Sequence, residues 1–260
     1  MEDWIKGMDV SSLLEVERCG GRFYDQGRPS DLLDILKGYG VNLLRLRLWN
    51  HPFDKDGSSY GGGGNDLETT LTLAKRAREK GMDWLLDFHY SDCWADPGKQ
   101  RLPKAWQSMN PDELTGAVYD YTAEVLEICR QEELLPKIAS IGNEVSNGLL
   151  WPFGKVPEYK NIARLISAGI KAVRDCAPET LVMIHLDNGG NKELYREWFD
   201  AYLEHGGADF DYIGLSYYPF WHGTLSMLKE NMNMLAGRYG KDLILAEVST
   251  AHTMEDYQQY

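Results

Sequence analysis

Basic residues are scarce in this chain of 260: 27 Lys and Arg stand against 40 Asp and Glu, a formal net charge of −13. No basic run supplies the footprint a nucleic-acid binder needs, so nucleic acid is excluded as a partner. Cysteine is scarce too. Cys19, Cys93, Cys129 and Cys176 lie far apart with no C-x-x-C pair, which excludes a disulfide framework and a zinc ribbon and reads as reduced or buried thiols. No apolar stretch approaches the roughly 20 residues that cross a bilayer, so no membrane partner is expected. The first ten residues carry neither a basic n-region nor an apolar h-region. The expectation is a soluble chain, cytoplasmic if Met1 is the native start and secreted if a signal peptide was removed. H-E-x-x-H and D-x-D-x-D-G are both absent, so no motif demands a metal, and no cofactor is expected. Linkers and charge blocks are missing as well, and residues 1–260 read as a single domain.

What the chain has in excess is aromatic side chains: 12%, with eight Trp and fifteen Tyr. Such an excess fits either a large core or faces on which sugar rings stack. Along the chain a short apolar run alternates with a polar loop and an amphipathic helix. Strands are expected at Trp4–Asp9, Asn42–Trp49, Trp84–Tyr90, Ile138–Glu144, Leu181–Leu186, Tyr212–Tyr218 and Leu243–Glu247. Helices are expected from a Ser30 cap to Gly38 or Gly40, from Leu71 to Gly81, and from Asn110, where Pro111 and Glu113 complete a helix-opening signature. Three more run over 157–176, 192–205 and 224–239. This alternation argues for βαβ units and a parallel sheet. An open nucleotide-binding sheet would carry G-x-G-x-x-G after its first strand. Met8-Asp-Val-Ser-Ser-Leu stands there instead, and the run Gly61–Gly64 lacks the Lys-Ser/Thr of a phosphate loop. The fold class is therefore α/β, a TIM (β/α)8-type barrel.

Barrel enzymes place their chemistry at the C-terminal ends of the strands. Here those ends are Asp9, Arg45 with Arg47 and Trp49, His89 with Asp92, Asn143 with Glu144, His185 with Asp187, Ser216 with Tyr218, and Glu247. A merely solvated surface would not concentrate polar and ionisable residues in this way. In the second strand Leu44, Leu46 and Leu48 share one face and suit the helices, which sends Arg45 and Arg47 into the barrel. Buried there, they need carboxylate partners; for Arg47 a purely structural Arg–Asp buttress is the alternative.

Glu144 and Glu247 end strands four and seven and face one mouth. Two carboxyl groups flanking an acetal are what glycoside hydrolysis needs, one to protonate the leaving oxygen and one to attack or to activate water. Arg45 beside Glu247 would keep that carboxylate ionised, while burial and the neighbouring charge would raise Glu144. Asn143 is placed to hydrogen-bond a sugar 2-hydroxyl.

Several longer motifs carry a resemblance. They are Ile5-Lys-Gly-Met-Asp-Val-Ser, Leu44-Arg-Leu-Arg-Leu-Trp-Asn, Asp87-Phe-His-Tyr-Ser-Asp-Cys-Trp-Ala-Asp-Pro-Gly-Lys-Gln, Ser140-Ile-Gly-Asn-Glu, Gly148-Leu-Leu-Trp-Pro, Gly214-Leu-Ser-Tyr-Tyr-Pro-Phe-Trp and Ala246-Glu247. In that order they resemble clan A retaining glycosidases, and within them the endo-β-1,4-galactanases of glycoside hydrolase family 53. The resemblance implies endo-hydrolysis of β-1,4-galactan in pectic arabinogalactan, with retention, and a galactan or galacto-oligosaccharide partner. It makes Glu144 the acid/base and Glu247 the nucleophile, and sets a tyrosine hydroxyl of the Ser216–Tyr218 segment against Glu247. Trp94, Trp151 and Trp221 would be stacking platforms, or else loop packing. His89 and His185 would bond sugar hydroxyls, or else be satisfied interior histidines. Some family members hold calcium in late loops, and no ligand set for it is evident here.

Family members continue through a long loop, an eighth strand and a closing helix, whereas this chain ends thirteen residues after Glu247. The tail Ser249–Tyr260 reads as a loop or helix start, so the barrel is expected to lack its eighth strand and closing helix and to be C-terminally incomplete. A truncated, weakly active or inactive carbohydrate-binding fragment therefore stays open, as does a clan A glycosidase acting on mannan or cellulose. The residues imply no oligomeric state.

Overall fold

The structure, a computed structural model, describes residues 4–60 and 63–250. Its centre is a parallel sheet of seven strands: β1 (Gly7–Asp9), β2 (Leu43–Leu48), β3 (Asp83–Phe88), β4 (Ile138–Ile141), β5 (Leu181–Leu186), β6 (Tyr212–Tyr217) and β7 (Asp242–Val248), each pairing with the next in chain order. Between them run helices α1 (Leu13–Arg18), α2 (Leu32–Gly38), α3 (Leu67–Glu79), α4 (Pro111–Gln131), α5 (Tyr159–Cys176), α6 (Lys192–Glu204) and α7 (Leu225–Tyr239). Short antiparallel hairpins at Phe23–Asp25/Arg28–Ser30 and Gly148–Leu149/Gly154–Lys155 decorate the loops. Among the described residues no helix is long and apolar enough to cross a membrane.

The helices start where the side chains can satisfy free backbone N–H groups. Asn110 accepts from Asp112 and Glu113 while Glu113 reaches back to its backbone, the expected reciprocal cap. Asp31, one residue beyond Ser30, caps α2, and Asp66 caps α3, which begins at Leu67, four residues ahead of Leu71. The short α1 was not anticipated, because six residues are too few to establish a helical period.

All six residues of β2 are buried, and they divide by parity. Leu44, Leu46 and Leu48 join Leu73, Ala74 and Ala77 of α3 in the sheet–helix core. Leu43 points the other way and meets Leu85, Ile138 and Met183 in an apolar plug inside the barrel. Arg45 and Arg47, in phase with Leu43, continue that inner face toward the mouth. On the opposite side of β4, Gly169 lets α5 approach closely, since a Cβ there would stand 2.7 Å from Ile141 Cγ2.

Two strands depart from the simple pleat. β4 stops at Ile141 rather than Glu144. Gly142 turns at φ +88°, where a Cβ would meet Val145 at 2.5 Å, and Glu144 takes the left-handed conformation at φ +48°. A non-glycine residue held there stores about 1–3 kcal/mol of strain, which the surrounding packing must impose. In β7 a bulge sets Leu215 opposite Leu245 but Ser216 opposite Glu247. Strict alternation would send Glu247 outward with Leu243 and Leu245; the extra residue re-aims it into the barrel.

The seven strands are those of a TIM-type barrel that lacks its last strand and helix among the described residues. β1 and β7 do not pair, and between them lies a cavity of about 880 Å³ walled by Ile5, Met8, Leu13, Leu243, Leu245 and Val248. Of the tail expected to be a loop or helix start, residues 251–260 lie outside the described residues, as do Gly61 and Gly62.

Candidate active site

The site is organised around Arg45, which is buried inside the mouth. One guanidinium nitrogen donates to Asp9 Oδ2 of β1 at 2.6 Å; the other donates to Asp87 Oδ2 of β3 at 2.6 Å, Asn143 Oδ1 at 2.8 Å and Glu247 Oε1 of β7 at 2.8 Å. A planar guanidinium spreads five N–H donors over acceptors from several strands, where an ammonium concentrates three at one point. Burial alone would weaken this cation, but Asp87, Glu247 and Asp9 together hold it firmly charged. Asp87 is fully buried, and although burial opposes its charge, Arg45 keeps it well below the usual carboxylate range. His89 completes this corner: Nδ1 accepts the Ala95 amide at 3.0 Å, so Nε2 carries the proton and donates to Asp87 at 3.1 Å.

Glu247 and Glu144 face each other with an oxygen of each within 4.8 Å. Their environments push them apart. Burial raises both. At Glu247, Arg45 and the Tyr218 hydroxyl, donating to Oε2 at 2.6 Å, outweigh burial and hold the carboxyl low. At Glu144 burial comes first, the charges of Glu247 and Asp187 add to it, and the carboxyl rises well above its ordinary range. One acid stays neutral while its partner is ionised, the division of labour that paired acid and nucleophile require. His185, fully buried, is lowered by that burial to about 4 and is neutral.

Asn143, Glu144, His185, Ser216, Tyr218 and Glu247 are thus brought together around Arg45, with Asp9 on the rim. Asp187 stands nearby, its backbone N–H held by Ser146 Oγ at 3.0 Å. Trp94, 38% exposed, presents one face while the Arg47 guanidinium lies 4.2 Å from its ring centroid. Arg47 also donates to Ser12 Oγ at 3.0 Å and lies 3.7 Å from Asp9. Trp151 has Lys155 over its ring at 4.4 Å and its indole N–H on Asn147 O, and Trp221 is 58% exposed beside Tyr218. Trp94 and Trp221 stand at the mouth, against Arg47 and Tyr218 respectively.

Not every strand-end residue faces the mouth: His89 is a satisfied interior histidine, both ring nitrogens engaged within the protein. Trp49 is wholly buried, edge-on to His89, and Asp92 spends its two oxygens on the backbone N–H groups of His51 and Lys104. Both brace the loops that carry the mouth. Sequence reasoning passed over Asp87 and Gln100. Gln100 Nε2 donates to Asn143 O and Glu144 O and so fixes the turn behind the acid. Asp87 had a signal: it is in phase with Leu85 and His89 on the inner face of β3. Gln100 closes the Asp87–Gln100 motif that carries the family resemblance, but nothing in its own residue type or spacing assigns it a part in the site.

Glu144, His185 and Glu247 offer one potential metal-donor atom each. Two of the three are engaged within the protein: Arg45 and Tyr218 bind Glu247, and Ser216 binds His185 Nε2. The donor set therefore fits proton transfer and nucleophilic attack by two carboxyls better than coordination of a cation.

The chain resembles several known proteins over most of its length. The endo-beta-1,4-galactanase of Bacillus subtilis (strain 168) is 39% identical over 98% of this chain and 58% of its own length. A probable arabinogalactan endo-beta-1,4-galactanase A of Aspergillus terreus is 42% identical over 94% of the chain and 70% of its own. The Ignisphaera aggregans GH53 catalytic domain superposes with a TM-score of 0.93 at 42% identity, covering 97% of this chain and 70% of that one. The chain thus spans roughly three-fifths to seven-tenths of the length of these relatives. The profile of Glycosyl hydrolase family 53 matches residues 5–260, and the chain belongs to that family.

Proposed function

We propose that this glycoside hydrolase cleaves β-1,4-galactosidic bonds within galactan with retention of configuration, using Glu144 as acid/base and Glu247 as nucleophile. The observation that carries the reading is the carboxyl pair. Its oxygens approach within 4.8 Å, in keeping with the roughly 5–5.5 Å of retaining enzymes rather than the 6.5–9.5 Å that leaves room for an inverting water. Substrate identity is supported by the galactanase relatives, and Trp94 and Trp221 offer faces for pyranose rings along the mouth.

In the first step Glu247 attacks the anomeric carbon as the bond to the leaving oxygen breaks, and Glu144 gives that oxygen its proton. Water then loses a proton to Glu144 and displaces Glu247, restoring both groups. Tyr218 and Arg45 hold Glu247 ionised and aimed; Asn143, fastened between Arg45, His185 and the Ala95 carbonyl, is placed to meet the 2-hydroxyl.

New reducing ends should appear on linear β-1,4-galactan and not on mannan or cellulose, and the product first formed should be the β-anomer by NMR. Cleavage of another glycan would overturn the substrate, and a first-formed α-anomer would overturn retention. The pH profile of kcat/KM should be a bell whose acid limb lies below the ordinary carboxyl range, from Glu247, and whose alkaline limb lies above it, from Glu144. Glu144→Gln should lower galactan turnover by about 10²–10⁴-fold. With an aryl galactoside whose leaving group needs no proton, the same variant should still release a burst of one phenol per enzyme. Equal losses on both substrates would remove Glu144 from the acid role.

A further inference from the structure

β4 pairs with β3 as far as Ile141 and with β5 as far as Ser140, so the turn that carries Glu144 lies beyond both ladders. Residues 142–145 are nevertheless buried, and buried carbonyls need donors from elsewhere. Four in a row receive them from side chains. Ser140 Oγ donates to Gly142 O at 2.9 Å. Gln100 Nε2 donates to Asn143 O at 2.8 Å and, more loosely, to Glu144 O at 3.4 Å. Trp198 Nε1 of α6 donates to Val145 O at 3.0 Å. Gln100 and Trp198 are both buried, and they come from opposite neighbours of β4: the loop after β3 and the helix after β5. The Gln100 amide faces three carbonyl oxygens, Asp96 O included, so its nitrogen stands there. Its loop is anchored in turn, since Trp151 N donates to Gln100 O at 2.7 Å and Asn147 Nδ2 to Pro97 O at 2.8 Å.

We propose that Gln100 and Trp198 are positioning residues for the acid, a clamp that holds Glu144 in its left-handed conformation by fixing the carbonyls around it. Glu144 has φ +48°, which a non-glycine residue keeps only where its surroundings impose it. The two donors impose it. Returning residue 144 to the extended region would turn the peptide planes before and after it, and so carry Asn143 O and Glu144 O away from Gln100. Trp198 fixes the next carbonyl, so the turn cannot relax by shifting the strain onward. The Glu144 side chain leaves from the held Cα, and a relaxed turn would draw its carboxyl away from the leaving oxygen. The inference rests on Glu144 being the acid/base of the proposed hydrolysis.

The discriminating variant is Gln100→Met, close in volume and without a donor. Crystal structures of parent and variant should show Glu144 leaving the left-handed region. Turnover on galactan should fall about 10²-fold, the cost of misplacing a reacting group by about 1 Å. KM should stay near that of the parent, because the buried amide touches no sugar. The phenol burst from an aryl galactoside whose leaving group needs no proton should be retained, as expected for Glu144→Gln. A merely structural Gln100 would instead lower the folded fraction and cut both substrates equally. Trp198→Phe, which keeps an aromatic ring in the core and loses the N–H, should divide the two substrates in the same sense; without that division Trp198 leaves the clamp. Gln100→Asn, whose amide falls one methylene short of Asn143 O, carries the comparison should the methionine variant not fold. A turn unmoved by loss of the donor, or equal losses on both substrates where Glu144→Gln divides them, would overturn the proposal. If Glu144→Gln itself fails to divide them, the acid reading falls, and a displaced turn in Gln100→Met still upholds the clamp.

Discussion

Replacing Glu247 with alanine is expected to lower turnover on galactan by about 10⁴–10⁶-fold, the range found when a covalent nucleophile is removed. The fold should survive, because Arg45 keeps Asp9, Asp87 and Asn143 as partners. The deletion leaves space beside that cation, and a small anion such as azide should enter it. Azide then attacks the anomeric carbon from the nucleophile's side while Glu144 still protonates the leaving oxygen. The product is an α-galactosyl azide, inverted relative to substrate, and mass spectrometry with NMR would identify it. Residual hydrolysis above about one part in a hundred, with no azide adduct, would remove Glu247 from the nucleophile's role.

The second large effect concerns stability. Arg45→Met should destabilise the chain by about 3–5 kcal/mol, since it strands Asp87 and Glu247 as buried carboxylates without their cation. For a chain of this size that is a fall of roughly 6–20 °C in Tm. The pH dependence has a definite sign. In the parent, Asp87 is held low by Arg45, so its contribution is present above the unfolded carboxyl range and is lost as pH falls through the lower folded value. Without Arg45, burial dominates, Asp87 takes up a proton more readily than in the unfolded chain, and its charge opposes folding at neutral pH. The difference between parent and variant should therefore be largest near pH 7 and shrink as pH drops through about 4. Calorimetry at a series of pH values measures it; a penalty that does not change with pH would mean lost packing rather than lost charge.

Local patterns that carry their own chemistry were readable from the residues. The Asn110 cap is written within four residues, and β5 spans Leu181–Leu186 as its apolar run suggests. The parity of Leu44-Arg45-Leu46-Arg47 correctly sent both arginines inward. Features set by irregular backbone were not legible. Glu247 reaches the site through a bulge that contradicts its own alternation, and Glu144 through a glycine turn and a left-handed residue after β4 has ended. Partner identity was partly legible: Arg45 beside Glu247 followed from charge balance, but the sharing of one guanidinium among Asp9, Asp87, Asn143 and Glu247 depends on strand order across the sheet. That Trp49 and Asp92 would be covered was not legible, because a strand-end position does not reveal whether neighbouring loops will bury it.

The arrangement of Arg45 has a mechanical side. Asp9 stands on β1 and Glu247 on β7, the two strands whose amides do not meet, and both hold the same guanidinium. Among the described residues the backbone leaves this hoop open, and an ionic clasp fastens it at the rim. Amide ladders are indifferent to proton concentration, whereas a clasp of carboxylates loosens as they are neutralised. Acid should therefore slacken the ring at this rim before it disturbs the ladders of β3 to β6. The charge that readies the proposed nucleophile and the charge that fastens the rim are one and the same.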